Sequence, residues 1–121
     1  MSEFHVNYRD LTQEINKNLG ALREDLPDVM KAFNELGRAA SRAGALERKT
    51  KELIALSLGV AARCDACIGF HVQALVKLGT TKAELEEALG MAVYMGGGPS
   101  LMYSANALAA FEQFSAAATQ A

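Results

Sequence analysis

Two cysteines, Cys64 and Cys67, stand in the spacing Cys-Asp-Ala-Cys, and a histidine, His71, follows four residues later. Two intervening residues let a disulfide close within one turn of backbone without large strain, so the pair suits reversible oxidation. The pair is expected at the start of a helix. There the thiols meet free backbone amides and the positive end of the helix dipole, with the Arg63 cation beside them. These influences favour a thiolate and lower a thiol pKa from its ordinary value of about 8.5. His71 lies four and seven residues beyond the cysteines, which sets the three side chains along one helix face, where an imidazole takes or returns a thiol proton. Glu52, twelve residues before Cys64, begins the apolar run of the preceding helix. If the two helices pack face to face, its carboxylate would orient His71 or hold a relaying water.

Blander readings of these residues stay open. Cys64 and Cys67 could be small buried hydrophobes or a passive disulfide, although a cytosolic CxxC at a helix start more often serves redox or metal chemistry. Zinc would draw on Cys64, Cys67, His71 and Glu52, but there is no third cysteine, and His5, the only other histidine, has the look of an end residue without a role. Arg48, four residues before Glu52, would make the carboxylate half of a solvated helix pair. His71 alone would pass for a packed, hydrogen-bonded histidine. Met91, Met95, Met102, Tyr94 and Tyr103 would line a pocket for an apolar substrate, but core packing is the favoured reading.

The elements that must carry this chemistry are helices. Alanine occurs 22 times and leucine 15 times against nine valines and isoleucines together, which favours helix over strand. Leu11, Ile15, Leu19 and Leu22 mark an amphipathic first helix from about Tyr8 to Glu24. Pro27 opens a second, which carries Val29, Met30, Phe33, Leu36 and Ala40 and stops near Gly44. The third, about Glu47 to Ala62, becomes apolar on all sides and belongs in the middle of a bundle. A short fourth runs from about Asp65 to Leu78 and ends at Gly79. Thr81-Lys82-Ala83-Glu84 reads as a capping box for a fifth helix to about Tyr94, and a sixth spans about Pro99 to Ser115. Gly96-Gly97-Gly98-Pro99 lacks the Gly-Lys-Ser/Thr ending of a phosphate loop and reads as a hinge.

The 121 residues fit one domain, residues 1–121, and a formal net charge of −2 with no basic run argues against nucleic acid as a partner. The uncharged stretch from Ala88 to Phe111 is long enough to raise a membrane span, but the glycines, Pro99, Ser100, Ser104 and Asn106 interrupt it. With no secretory signal visible in Met1 to Tyr8, a cytoplasmic protein is expected. The uncharged surface of the third, fifth and sixth helices exceeds what one small core hides, which predicts a homo-oligomer.

The order Glu52-x11-Cys64-x2-Cys67-x3-His71 resembles the signature of the alkylhydroperoxidase D-like proteins of the carboxymuconolactone decarboxylase superfamily. The flanks, Lys49 to Leu56 and Met95 to Tyr103, are similar to short single-domain members, and the resemblance extends over roughly Leu46 to Phe111. It implies an all-α bundle of about six helices, commonly a trimer or hexamer, that acts as a peroxidase or disulfide oxidoreductase. No bound cofactor or metal is implied; electrons come from an external thiol reductant. By position, Cys67 would be the peroxidatic thiolate and Cys64 the resolving thiol, with His71 and Glu52 as proton relay. Ala66 stands where alkylhydroperoxidase D proteins have histidine, and those enzymes are longer and reduced by a lipoyl protein, so neither reductant nor rate carries over. The superfamily's decarboxylases generally lack the cysteine pair. A non-catalytic assembly protein and a cofactor-free lyase or decarboxylase on an acidic lactone are the competing readings.

Overall fold

The computed structural model describes residues 6–120, all of whose regular structure is helical: α1 (Tyr8–Asp25), α2 (Pro27–Ser41), α3 (Arg48–Ala61), α4 (Asp65–Lys77), α5 (Lys82–Gly96) and α6 (Gly98–Gln120). His5 lies outside the described residues. Local chemistry accounts for most helix ends. The Asn7 side chain accepts from the Asp10 amide at 3.0 Å to start α1, and Pro27 sits in the first turn of α2. At the head of α5, Thr81 Oγ1 accepts from the Glu84 amide at 3.1 Å while Glu84 Oε1 accepts from the Thr81 amide at 2.9 Å, which completes the expected capping box. Lys49 Nζ then donates to Glu84 Oε2 at 2.8 Å and joins the starts of α3 and α5; the same hydrogen bond holds the Glu84 carboxyl below its usual range.

Two boundaries differ from the sequence expectation. Helix α2 stops at Ser41, ahead of Gly44, because Arg42 turns extended at φ −60° and ψ 139°. The glycine run is not a four-residue hinge. Gly96 still belongs to α5 and Gly98 already to α6, so Gly97 alone makes the turn, with φ 72°. A positive φ reverses the chain in one step at little cost for glycine.

Helix α4 occupies the centre and packs against α1, α3 and α6. Its Ile68, Val72 and Leu75 are buried with Leu56 and Val60 of α3, Leu85 and Leu89 of α5, Phe111 and Phe114 of α6, and Tyr8. Close approach to α4 is made possible by glycine at two points. A Cβ on Gly59 would lie 3.2 Å from the Cys67 Cβ, and one on Gly69 would lie 2.7 Å from Thr12 Cγ2.

Burial corrects the sequence reading in three places. Helix α3 touches α2, α4, α5 and α6 as a central helix should, yet Leu58 on it is 65% exposed. The favoured packing of Met91, Tyr94, Met95 and Met102 fails: α5 is held through Leu85, Leu89 and Ala92, which leaves Tyr94 and Met95 on its other side 78% and 79% exposed. Helix α2 buries none of its residues, so its apolar stripe, Phe33 and Leu36 included, faces outward or into a cleft. Only Tyr103 of the aromatic and methionine group packs on the core.

The Gly69 contact yields a test. Thr12 cannot swing aside freely, because its hydroxyl donates to the Tyr8 carbonyl at 2.9 Å and the residue is buried. Gly69→Ala gains helix propensity of about 1 kcal/mol but overpacks the α1–α4 contact, a cost of about 1–3 kcal/mol. Urea unfolding is expected to show net destabilisation, and Thr12→Ser, which removes the obstructing methyl, is expected to relieve it.

Candidate functional site

The turn from α3 into α4 sets the sulfurs. Arg63 takes a left-handed conformation, φ 59°, and the Cys64 amide donates to the Gly59 carbonyl at 3.0 Å. Cys64 becomes the N-cap of α4, with its Sγ accepting from the Cys67 amide at 3.1 Å. The two cysteines are joined by a disulfide, with Cα atoms 5.2 Å apart. Both residues are half-buried, at the expected helix start, within reach of the unpaired amides of the first turn.

Packing of α3 on α4 places Glu52 Oε2 2.7 Å from His71 Nδ1. The Glu52 side chain is 9% exposed and the imidazole 36%. A carboxylate only accepts, so in the neutral ring Nδ1 carries the hydrogen and Nε2 is left with its lone pair. His71 lies one helical turn beyond Cys67 on the same face of α4. Arg48, the competing partner for Glu52, forms no ion pair with it among the described residues. Nor, among those residues, is any set of three or more His, Cys, Asp or Glu side chains grouped so as to hold a metal.

Asp65, between the cysteines, has a role the sequence did not disclose. Its Oδ1 accepts from the Tyr8 hydroxyl at 2.6 Å and from Asn106 Nδ2 at 3.2 Å, which draws α1 and α6 onto the head of α4. Burial, followed by the hydrogen bond to the Asp65 carboxylate, pushes the Tyr8 phenol far above its ordinary value. The Tyr8 amide in turn donates to Gln113 Oε1 at 2.7 Å. In the sequence Tyr8 reads as a helix start and Asn106 as a break in an apolar run; nothing local pairs either with Asp65.

Glu52 and His71 open onto a cleft of about 410 Å³ between α2 and α3, lined also by Phe33, Arg38, Lys51 and Ala55. Lys51 Nζ donates to the Ala40 and Arg42 carbonyls at 3.0 and 2.7 Å, which fastens the end of α2 over this cleft. No sequence signal marks Arg38, because it becomes part of the site only through the angle at which α2 returns.

The site thus sits in an all-helical bundle, with a cysteine pair capping its central helix and a carboxylate–imidazole pair one turn on. The chain belongs to the carboxymuconolactone decarboxylase family, whose sequence profile matches residues 27–110. A crystal structure of a family protein from Legionella pneumophila, in its apo form, is 56% identical, with a TM-score of 0.88 over 89% of this chain and 96% of that one. A Thermotoga maritima family protein, for which involvement in an antioxidative response has been suggested, is 33% identical with a TM-score of 0.71 over 76% of this chain and 95% of that one. An uncharacterized protein of Cupriavidus necator is 41% identical over 103 residues, 85% of this chain and 91% of its own length.

The Tyr8–Asp65 bond makes an alkaline prediction. The phenol's folded pKa lies above its ordinary 10.0, so the stabilisation is complete below about pH 10 and is lost as pH climbs beyond it, where only the unfolded state has released the proton. The slope is about 1.4 kcal/mol per pH unit. Tyr8→Phe, measured by chemical denaturation, is expected to lower stability at neutral pH by about 1.5–3 kcal/mol and to flatten the alkaline decline relative to wild type.

Proposed function

We propose that this chain is a cytoplasmic thiol-dependent oxidoreductase that reduces a hydroperoxide or a disulfide through Cys67 and Cys64. The observation that carries the reading is the 2.7 Å contact of Glu52 with His71 one turn beyond a cysteine pair that caps α4. With a hydroperoxide, the Cys67 thiolate attacks the terminal oxygen and the O–O bond breaks. The alcohol leaves with a proton delivered through His71, and Cys67 becomes a sulfenic acid. The Cys64 thiolate attacks that sulfur, the hydroxyl leaves as water, and the Cys64–Cys67 disulfide forms. Two electrons and two protons from an external thiol reductant restore both thiols. Glu52 fixes the ring tautomer so that Nε2 handles the proton, the part a buried carboxylate plays for a catalytic imidazole in general. With a disulfide substrate the Cys67 thiolate attacks one sulfur to form a mixed disulfide while the other leaves and takes the proton, and the Cys64 thiolate then closes the Cys64–Cys67 disulfide and releases the second thiol.

We further propose that the protein works as a homo-oligomer, with the trimer and hexamer as its expected forms. The exposed apolar side chains on α5 and at the start of α6, Met91, Tyr94, Met95, Leu101 and Met102, supply the contact, since apolar surface of this kind usually marks association.

An organic hydroperoxide assay with a dithiol donor tests the chemistry. Cys67→Ser and Cys64→Ser are both expected to lose turnover, with a trapped sulfenic acid only in Cys64→Ser. His71→Ala is expected to lose about a hundredfold in rate. Wild-type activity in Cys67→Ser would overturn the reading. Size-exclusion chromatography with light scattering at micromolar concentration is expected to give a mass several times the 12.9 kDa chain, reduced by Tyr94→Glu with Met95→Glu. A wild-type monomer would overturn the assembly.

A further inference from the structure

The cleft above Glu52 and His71 has an unequal lining. One wall is apolar, formed by Phe33 and Ala40 of α2 and Ala55 of α3, and Arg38 of α2 borders the same space. Its volume of about 410 Å³ falls within the range of small-molecule sites. Two cations line it, and they are not equivalent. Lys51 spends its ammonium on the Ala40 and Arg42 carbonyls at the end of α2. Arg38 has no ion pair or side-chain hydrogen bond among the described residues, not even with Glu35 three residues before it. The acid in the cleft, Glu52, is committed to His71. An uncommitted guanidinium beside an apolar wall is matched by a ligand with a carboxylate at one end and a compact hydrocarbon body, since the planar fork of Arg binds carboxylate through two parallel hydrogen bonds.

We propose that this cleft, which reaches His71 but is lined by neither cysteine, selects a substrate bearing a carboxylate, held by Arg38, and that the hydroperoxide presented past His71 to Cys67 is therefore an acidic one. The identity of the reacting group rests on the oxidoreductase reading; the recognition of the carboxylate rests on the cleft. Phe33 and Ala55 hold the hydrocarbon body, and Arg38 acts on binding rather than on the chemical step. Its removal raises KM for acidic substrates and leaves kcat nearly unchanged.

Two arms separate the claims. Binding is measured on the disulfide form by calorimetry with 4-isopropylbenzoate and its neutral amide, which differ only in the charged group. Wild type is expected to bind the carboxylate at least tenfold more tightly. Arg38→Gln is expected to abolish that preference without weakening the amide, and Arg38→Lys to restore part of it. Arg38 is exposed on a helix that buries nothing, so these variants keep the fold. Turnover is measured with cumene hydroperoxide and its para-carboxy derivative; kcat/KM is expected to favour the acid in wild type and to be equal in Arg38→Gln. Equal binding of carboxylate and amide by wild type, or a preference that survives in Arg38→Gln, overturns the proposal whatever the turnover. Arg38-dependent binding without turnover of either hydroperoxide upholds the carboxylate site and removes the peroxidase reading instead.

Discussion

A buried carboxylate at the point where α3 turns from charged to apolar is the constraint around which this molecule is arranged. Glu52 is among the least exposed residues of α3. Leaving such a group unpaired costs several kcal/mol, roughly, in a protein interior. Its partner at 2.7 Å is His71, on the next helix, so α3 and α4 must meet in one register. Gly59 permits that meeting. With no side chain there, the backbone of α3 comes up against Cys67, and the helix carrying the sulfurs lies close enough for Glu52 to reach the ring beyond them. The contact that satisfies the buried carboxylate thus also fixes an imidazole one turn beyond the cysteine pair.

The head of α4 is held from three further directions. The Gly59 carbonyl takes the Cys64 amide, Tyr8 of α1 donates to Asp65, and Asn106 of α6 donates to the same oxygen. Without them Asp65 would present a free carboxylate between the two cysteines, and a negative charge at that position disfavours a thiolate on either neighbour. Donors on Oδ1 spread that charge and keep the carboxylate directed toward α1 and α6. The rigidity of the motif therefore comes from the bundle as a whole, whereas the side of the site toward α2 stays open.

That open side separates what patterning can convey from what it cannot. In the sequence, α2 has the same kind of apolar stripe as α1, and periodicity treats the two alike. In the fold, α1 sends Tyr8 and Thr12 into the core against Gly69, while α2 lies against α1, is tied to α3 by the Lys51 hydrogen bonds and buries nothing. Periodicity identifies a face that avoids water; it does not say whether core, ligand or another subunit covers that face. The same holds for α5, where Leu85 and Leu89 are inside while Met91 and Met95 are outside.

By itself the sequence determined six helices, the Thr81–Glu84 capping box, the placement of Cys64 and Cys67 at a helix start and the alignment of His71 behind them. These depend on interactions within one or two helical turns, and such interactions are encoded in neighbouring residues. Tertiary structure alone decided that Glu52 turns to His71, 19 residues away, and not to Arg48. It also decided that Asp65 receives Tyr8 and Asn106, 57 and 41 residues distant, and that Arg38 borders the cleft. Spacing along a chain fixes a direction on one helix, but a partner on another helix depends on the angle and depth at which the two pack. In this bundle, glycines at the contacts and one buried acid in need of a donor set that angle and depth.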